Sequence, residues 1–130
     1  MKRFIPVSKR VIWWDVENIA FHLDKKQEKW LTQHHISVRG FMGREYDKRL
    51  KDDRIMRFKT QLPEQSDHAI SMWSGKWLEY MDKKGVPLKK LQTCVMTKDK
   101  FADAWAAILN QNNVKAARVS SWKDIQKFFS

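Results

Sequence analysis

Apolar residues in this chain follow two rhythms. Short, nearly unbroken runs alternate with stretches in which large apolar side chains return every three or four positions. "RVIWWD" (10–15) is a run of the first kind and predicts a buried strand. Positions 19–33 place Ile19, Leu23, Trp30 and Leu31 on one side of a helix. "ISVRGFMG" (36–43) alternates at Ile36 and Val38 and predicts a second strand. The charged stretch 44–53 reads as a loop or a solvated helix, and 54–62 as a third strand ended by Pro63. Over 66–84 the helical spacing is strongest, carried by Ala69, Ile70, Trp73, Trp77, Leu78 and Met81. Ser66 would cap that helix, and Gly85 followed by Pro87 would stop it. "LKKLQTCVMT" (88–97) contains a fourth strand. A helix over 100–112 buries Phe101, Ala104, Trp105, Ile108 and Leu109, and 114–121 gives a fifth strand. "SWKDIQKFF" closes the chain as a helix with Ser121 and Asp124 as a capping box. The alternation predicts one α/β domain spanning 1–130, a three-layer α/β/α sandwich around a mostly parallel, roughly five-stranded sheet.

Composition sharpens this in three ways. Hydrophobic residues make up 42% of the 130, with seven Trp, which excludes a disordered chain. Lys and Arg number 26 against 15 Asp and Glu, a formal charge of +11, and a folded domain this basic points to a polyanion, nucleic acid foremost. Cys94 is the single cysteine and sits in an apolar run, so it reads as a buried small hydrophobe; with no CxxC, a structural zinc site is not expected. The chain shows no apolar stretch near the roughly 18–20 residues of a membrane span and no secretory h-region, so the expected setting is intracellular (cytoplasmic), without a membrane partner.

In alternating α/β chains, functional residues gather where strands end and helices begin. Three such junctions here carry acids. "WWDVENIA" ends the first strand in Asp15, with Asn18 just beyond; "EQSDHAI" opens the middle helix with Asp67; "VMTKDKFAD" places Asp99 after the fourth strand, with Asp103 four residues on. Each has a bland alternative. Asn18 or Asp99 can be an N-cap, and Asp67 is favoured by the helix dipole in a first turn. Together they read differently. The first and fourth strands would be neighbours, so Asp15 and Asp99 would meet, with Asp67 beside them. Clustered carboxylates repel, and a divalent cation removes that penalty. An all-oxygen set suits Mg²⁺ or Mn²⁺. Within a basic chain this predicts a nuclease, in which the ion polarises a phosphate and activates an attacking water. Asn18 would ligate the ion or hold its water.

These same three segments, in this order and covering about residues 10–128, resemble the PIN-like nucleases and their NYN branch most closely. The shared features are the opening strand ending in Asp-x-x-Asn, the middle Asp opening a helix, and the late strand followed by Thr and Asp and then a Phe that leads into a helix. The resemblance implies a PIN/NYN-like endoribonuclease that cleaves RNA with a divalent metal. It implies that Asp15, Asp67 and Asp99 form the metal cluster, Asn18 is their polar companion, Asp103 is a fourth acid, and Thr97 lies near the site. Lys98 and Lys100, flanking Asp99, would hold substrate phosphates, with Arg39, Arg44 and Lys59 on a phosphate-tracking face that also gathers Lys48, Arg49, Lys51, Arg54 and Arg57. Glu17 is expected to face solvent. RNA, single-stranded or structured, is the expected partner, with DNA and a homo-oligomer both compatible with the pattern. The alternative is the same fold with a weak or dead site, acting as an RNA-binding or assembly subunit. Nucleotide-cofactor motifs of the GxxxxGK[ST] or GxGxxG kind do not occur, and the first strand lacks the acidic pair with which a receiver domain opens.

Overall fold

The computed structural model describes residues 3–20 and 22–130. Five strands form one sheet: β1 (Arg10–Asp15), β2 (Ile36–Met42), β3 (Ile55–Arg57), β4 (Gln92–Met96) and β5 (Lys115–Val119). All pair in parallel, in the order β3-β2-β1-β4-β5. Four helices accompany them: α1 (Lys25–Gln33), α2 (Gln65–Lys83), α3 (Phe101–Gln111) and α4 (Trp122–Phe128), with a 3₁₀ turn at Leu88–Lys90.

Central β1 shows why its sequence is apolar without a break. Val11 and Trp13 enter a core with Ile70, Trp77 and Met81 of α2 and Ala102, Trp105 and Leu109 of α3. Ile12 and Trp14, pointing the other way, enter a second core with Leu31 of α1 and Ile125 of α4. A strand covered on both faces needs apolar residues at every position, not alternate ones. The two cores make this a three-layer α/β/α sandwich. Trp13 and Trp77, both fully buried, meet edge-to-face at 6.3 Å. The Trp77 indole Nε1–H is satisfied by the Ser8 carbonyl at 2.9 Å.

The order of the strands fixes where a site can form. From β1 the chain steps outward to β2 and β3 over the α1 face, where Tyr46 and Leu50 of the connecting loop also pack. From β3 it returns across β1 to β4 and β5 by way of α2 and α3 on the opposite face. The connections after β1 and β4 therefore leave toward opposite faces, and a crevice opens between the carboxyl ends of these two neighbours.

Several boundaries differ from the expected ones. The first helix begins at Lys25, not at 19. Asp24 Oδ1 accepts from the Gln27 N–H at 2.8 Å while Gln27 Oε1 accepts from the Asp24 N–H at 3.0 Å, and this capping box sets the start. Ile19 still packs in the core, but from a turn closed by the Asn18 and Ile19 N–H groups on the Asp15 carbonyl. The third strand is only Ile55–Arg57, because after the Phe58 N–H bonds the Met42 carbonyl the chain leaves the sheet toward α2. Ser66 does not cap α2. It lies buried inside the first turn, and Glu64, left-handed at φ 59°, occupies the cap. Gly85 does end α2, with φ 77° and the Val86 N–H bonded to the Met81 carbonyl at 3.0 Å, the Schellman arrangement. At α4 the box is half made. Ser121 Oγ accepts from the Asp124 N–H, but the Asp124 carboxylate turns to Ser120. The charged stretch 44–53 is a loop. The Arg57 guanidinium ties it down by donating to the carbonyls of Gly43, Arg44, Tyr46, Asp47 and Leu50. Among the described residues no helix is long and apolar enough to cross a membrane.

Candidate active site

Asp15 is the last residue of β1 and only 7% exposed. Thr97, fully buried, follows β4 directly. Its hydroxyl donates to Asp15 Oδ2 at 3.2 Å and accepts from the Asp99 N–H at 3.1 Å. One side chain thus orients the first carboxylate and shapes the turn that carries the third. A second bridge runs beside it, in which Asn18 Oδ1 accepts from the Lys98 N–H at 2.6 Å. These two contacts hold the β1 and β4 loops across the crevice. The first turn of α2 brings Asp67 to the same place. The result is a depression of about 300 Å³ lined by Asp15, Asn18, Asp67 and Asp99, with Glu17 and Glu64.

The carboxylates feel one another. Burial raises the Asp15 pKa first of all; the Thr97 hydroxyl opposes this, and the charges of Asp99 and Glu17 add to it. Asp67 is pushed up to about 6, again by burial first, then by Asp99, Asp15 and Glu64, with His68 acting the other way. Each ionises against the field of its neighbours, as expected where negative groups share a partly buried hollow. Among the described residues no set of three His, Cys, Asp or Glu side chains is arranged to hold a metal ion.

The other expected site residues are distributed unevenly. Asp103 does not line the depression; it pairs with Arg118, Nε to Oδ1 at 2.9 Å. Asp99 is not the N-cap of α3, a position held by Lys100, but its Oδ1 accepts from the Phe101 N–H at 3.2 Å in the turn just before the helix. Lys98 and Lys100 are exposed on either side of it. Arg39 is half-buried and engaged, donating through Nε to the Phe4 carbonyl at 2.6 Å and through Nη1 to the Val38 carbonyl. Arg54 is bound to Glu28 at 2.9 Å and Asp52 at 2.8 Å, and Arg57 to the loop carbonyls. Of the expected phosphate-tracking face, Arg44, Lys48, Arg49, Lys51 and Lys59 are exposed. The half-buried guanidiniums neighbour the sheet, where a charge gains by finding partners.

Glu17 is exposed, as expected, and it is also tethered. Its carboxylate accepts from the Gly43 N–H at 2.8 Å and from Gln61 Nε2 at 3.1 Å, so it fastens the post-β2 loop and the segment before α2 to the rim. Gln61 and Glu64 belong to that rim and were not legible as site residues. The only sequence signal for them is their position just before the Asp67 helix.

Thr97→Val keeps the size and removes the hydroxyl. It leaves a buried carboxylate without its hydroxyl donor and frees the Asp99 turn. If Asp15 is functional, metal-dependent activity should fall about tenfold through looser ion affinity, with little change in kcat at saturating Mn²⁺; an unchanged Mn²⁺ dependence would show that Thr97 does not position Asp15.

Compared with protein-family models, with curated proteins and with solved structures, this chain has no match in any of the three.

Proposed function

We propose that this protein is a divalent-metal-dependent endoribonuclease of the PIN-like type, closest to the NYN branch, acting on RNA phosphodiester bonds. The observation that carries the reading is the convergence of Asp15, Asp67 and Asp99, from three elements far apart in sequence, on one depression at the crevice between β1 and β4. The basic balance of the chain supports a polyanionic substrate.

The donor chemistry fits a hard cation, since among the described residues the lining supplies carboxylate, amide and hydroxyl oxygens and no sulfur or imidazole. Asp15, Asp67 and Asp99 would hold Mg²⁺ or Mn²⁺. Such an ion would supply Lewis-acid polarisation of the scissile phosphate and a water of lowered pKa. The chain's own groups do the positioning. Thr97 fixes the rotamer of Asp15 through the 3.2 Å hydrogen bond. Asn18 spends one lone pair on the Lys98 N–H, and its amide NH₂ donors suit a phosphate oxygen better than a metal. Lys98 and Lys100 stand exposed at the lip, where they offer charge to flanking phosphates. Glu17 and Gln61 keep the rim in place.

A second reading, an RNA-binding subunit with a dead site, is favoured by the lack of any three-residue metal-holding arrangement among the described residues. One experiment separates the two. A quenched fluorescent RNA is incubated with protein in Mn²⁺ or in EDTA, and Mn²⁺ is titrated in by calorimetry. The nuclease reading expects saturable heat and cleavage that EDTA stops. RNA binding with neither heat nor cleavage would leave only the binding module.

A further inference from the structure

The opposite edge of the sheet carries a second feature. A groove of about 900 Å³ runs along the amino ends of β2, β1 and β4, larger than the acidic depression. Its cationic and imidazole lining comes from Lys9, Arg10, His34, His35, Lys89 and Lys90, and no acidic side chain lines it. The topology dictates this gathering. Lys9 and Arg10 open β1, His34 and His35 precede β2, and Lys89 and Lys90 precede β4. Those three strands lie side by side, with Arg10 in register with both Ile36 and Gln92. Three short basic segments, distant in sequence, are thereby placed along one edge.

The rim is built to stay in place. Ser8 Oγ donates to the His35 carbonyl, Arg10 Nη1 to the His34 carbonyl at 3.2 Å, and the Gln92 N–H to the Lys9 carbonyl at 2.9 Å. Lys9, Lys89 and Lys90 are exposed, and among the described residues no ion pair engages them. Gln92, which also lines the groove, has a buried Oε1 without a hydrogen-bond partner.

We infer that this amino-edge groove is a second RNA-binding surface, which holds the phosphate backbone of an RNA whose scissile region lies at the acidic depression. The inference rests on the substrate class proposed above. The two features sit at opposite ends of six-residue β1, roughly 16 Å apart along the strand. Only an RNA long enough to pass between them engages both. Free cations along a groove are what a regularly charged backbone requires, and each released counterion adds to the salt dependence of binding.

The test is a triple variant, Lys9→Gln with Lys89→Gln and Lys90→Gln, at exposed positions that leave the fold intact. Affinity for a labelled RNA of about 20 nucleotides is measured by anisotropy in EDTA, across a salt series. The variant should bind about tenfold more weakly, and the slope of log K against log salt should shrink by about 2, as for three lost single-strand phosphate contacts. A matched triple on the α1 and α4 surface, Lys25→Gln, Lys26→Gln and Lys123→Gln, should change the slope by much less. Equal losses in both triples would reduce the effect to net charge and overturn the assignment. So would an unchanged slope, or a loss confined to binding of phosphatidylserine vesicles. Cleavage of a trinucleotide in Mn²⁺ should be the same in wild type and the groove triple. Failure of the nuclease reading shows separately, as absence of cleavage by the wild type whatever the groove triple does.

Discussion

Asp15→Asn should lower RNA cleavage by more than about 100-fold while leaving the fold and RNA affinity in place, a larger loss than removal of a supporting group gives. The substitution keeps the shape of a side chain that is 7% exposed, and its amide oxygen can still accept from Thr97, so packing at the end of β1 is preserved. What disappears is one negative charge facing the depression. A phosphodiester bond gains nothing from that charge in the free protein; the loss is felt only where a cation must be held against the scissile phosphate. In the proposed reading RNA would be held by exposed cationic side chains elsewhere, so its binding should persist in EDTA. Asp103→Asn is the matched control. Its carboxylate serves Arg118 and not the depression, so cleavage should stay within about twofold of wild type, the scale of a surface substitution. Single-turnover rates in saturating Mn²⁺ check both. Near wild-type cleavage by Asp15→Asn would sink the catalytic reading of the depression.

The sequence carried the fold well wherever a single physical signal dominated. The unbroken "VIWW" run read as a buried strand, which the structure covers on both faces, and the alternation of strand and helix implied that β1 and β4 are neighbours. The approach of Asp15 to Asp99 followed from that adjacency, while Asp67 arrives separately on the first turn of α2. Readings failed where two signals overlapped. Ile19 and Leu23 have helical spacing, but the Asp24–Gln27 capping box starts the helix later and leaves Ile19 in a turn. Basic residues near β2 and β3 looked alike in sequence, whereas the structure separates the exposed Arg44 and Lys59 from Arg54 and Arg57, which are committed to carboxylates and loop carbonyls. The amino-edge groove was invisible for a different reason. Its residues come in pairs on three segments, and only the β2-β1-β4 order brings the pairs together.

Asp67→Asn should abolish cleavage as well, and it carries a second, opposite effect on stability. The Asp67 pKa is raised from 3.8 to about 6 in the folded protein. Between these two values the native state binds a proton that the unfolded chain does not, so stability must fall as pH rises through this window and stay lower above it. The contribution is present below about pH 4 and gone above about pH 6. Replacing the carboxylate by an amide removes this penalty. Without metal at about pH 7.5, the variant should therefore be more stable than wild type by about 1 kcal/mol, a figure already reduced because the group is partly solvated. For a chain of this length that is a rise in Tm of about 3–5 °C. At about pH 3.5 both forms are neutral and the difference should vanish. Saturating Mn²⁺ should invert the order. In the proposed reading it would bind the native wild type and raise its stability by about 2.7 kcal/mol at 100-fold excess over Kd, while the variant would respond weakly. Thermal denaturation across pH, with and without Mn²⁺, tests all three statements together. A metal-free variant that melts below wild type at neutral pH would mean that Asp67 is held there by structural contacts and not strained against its acidic neighbours; the argument for a cation among Asp15, Asp67 and Asp99 would then lose its electrostatic basis.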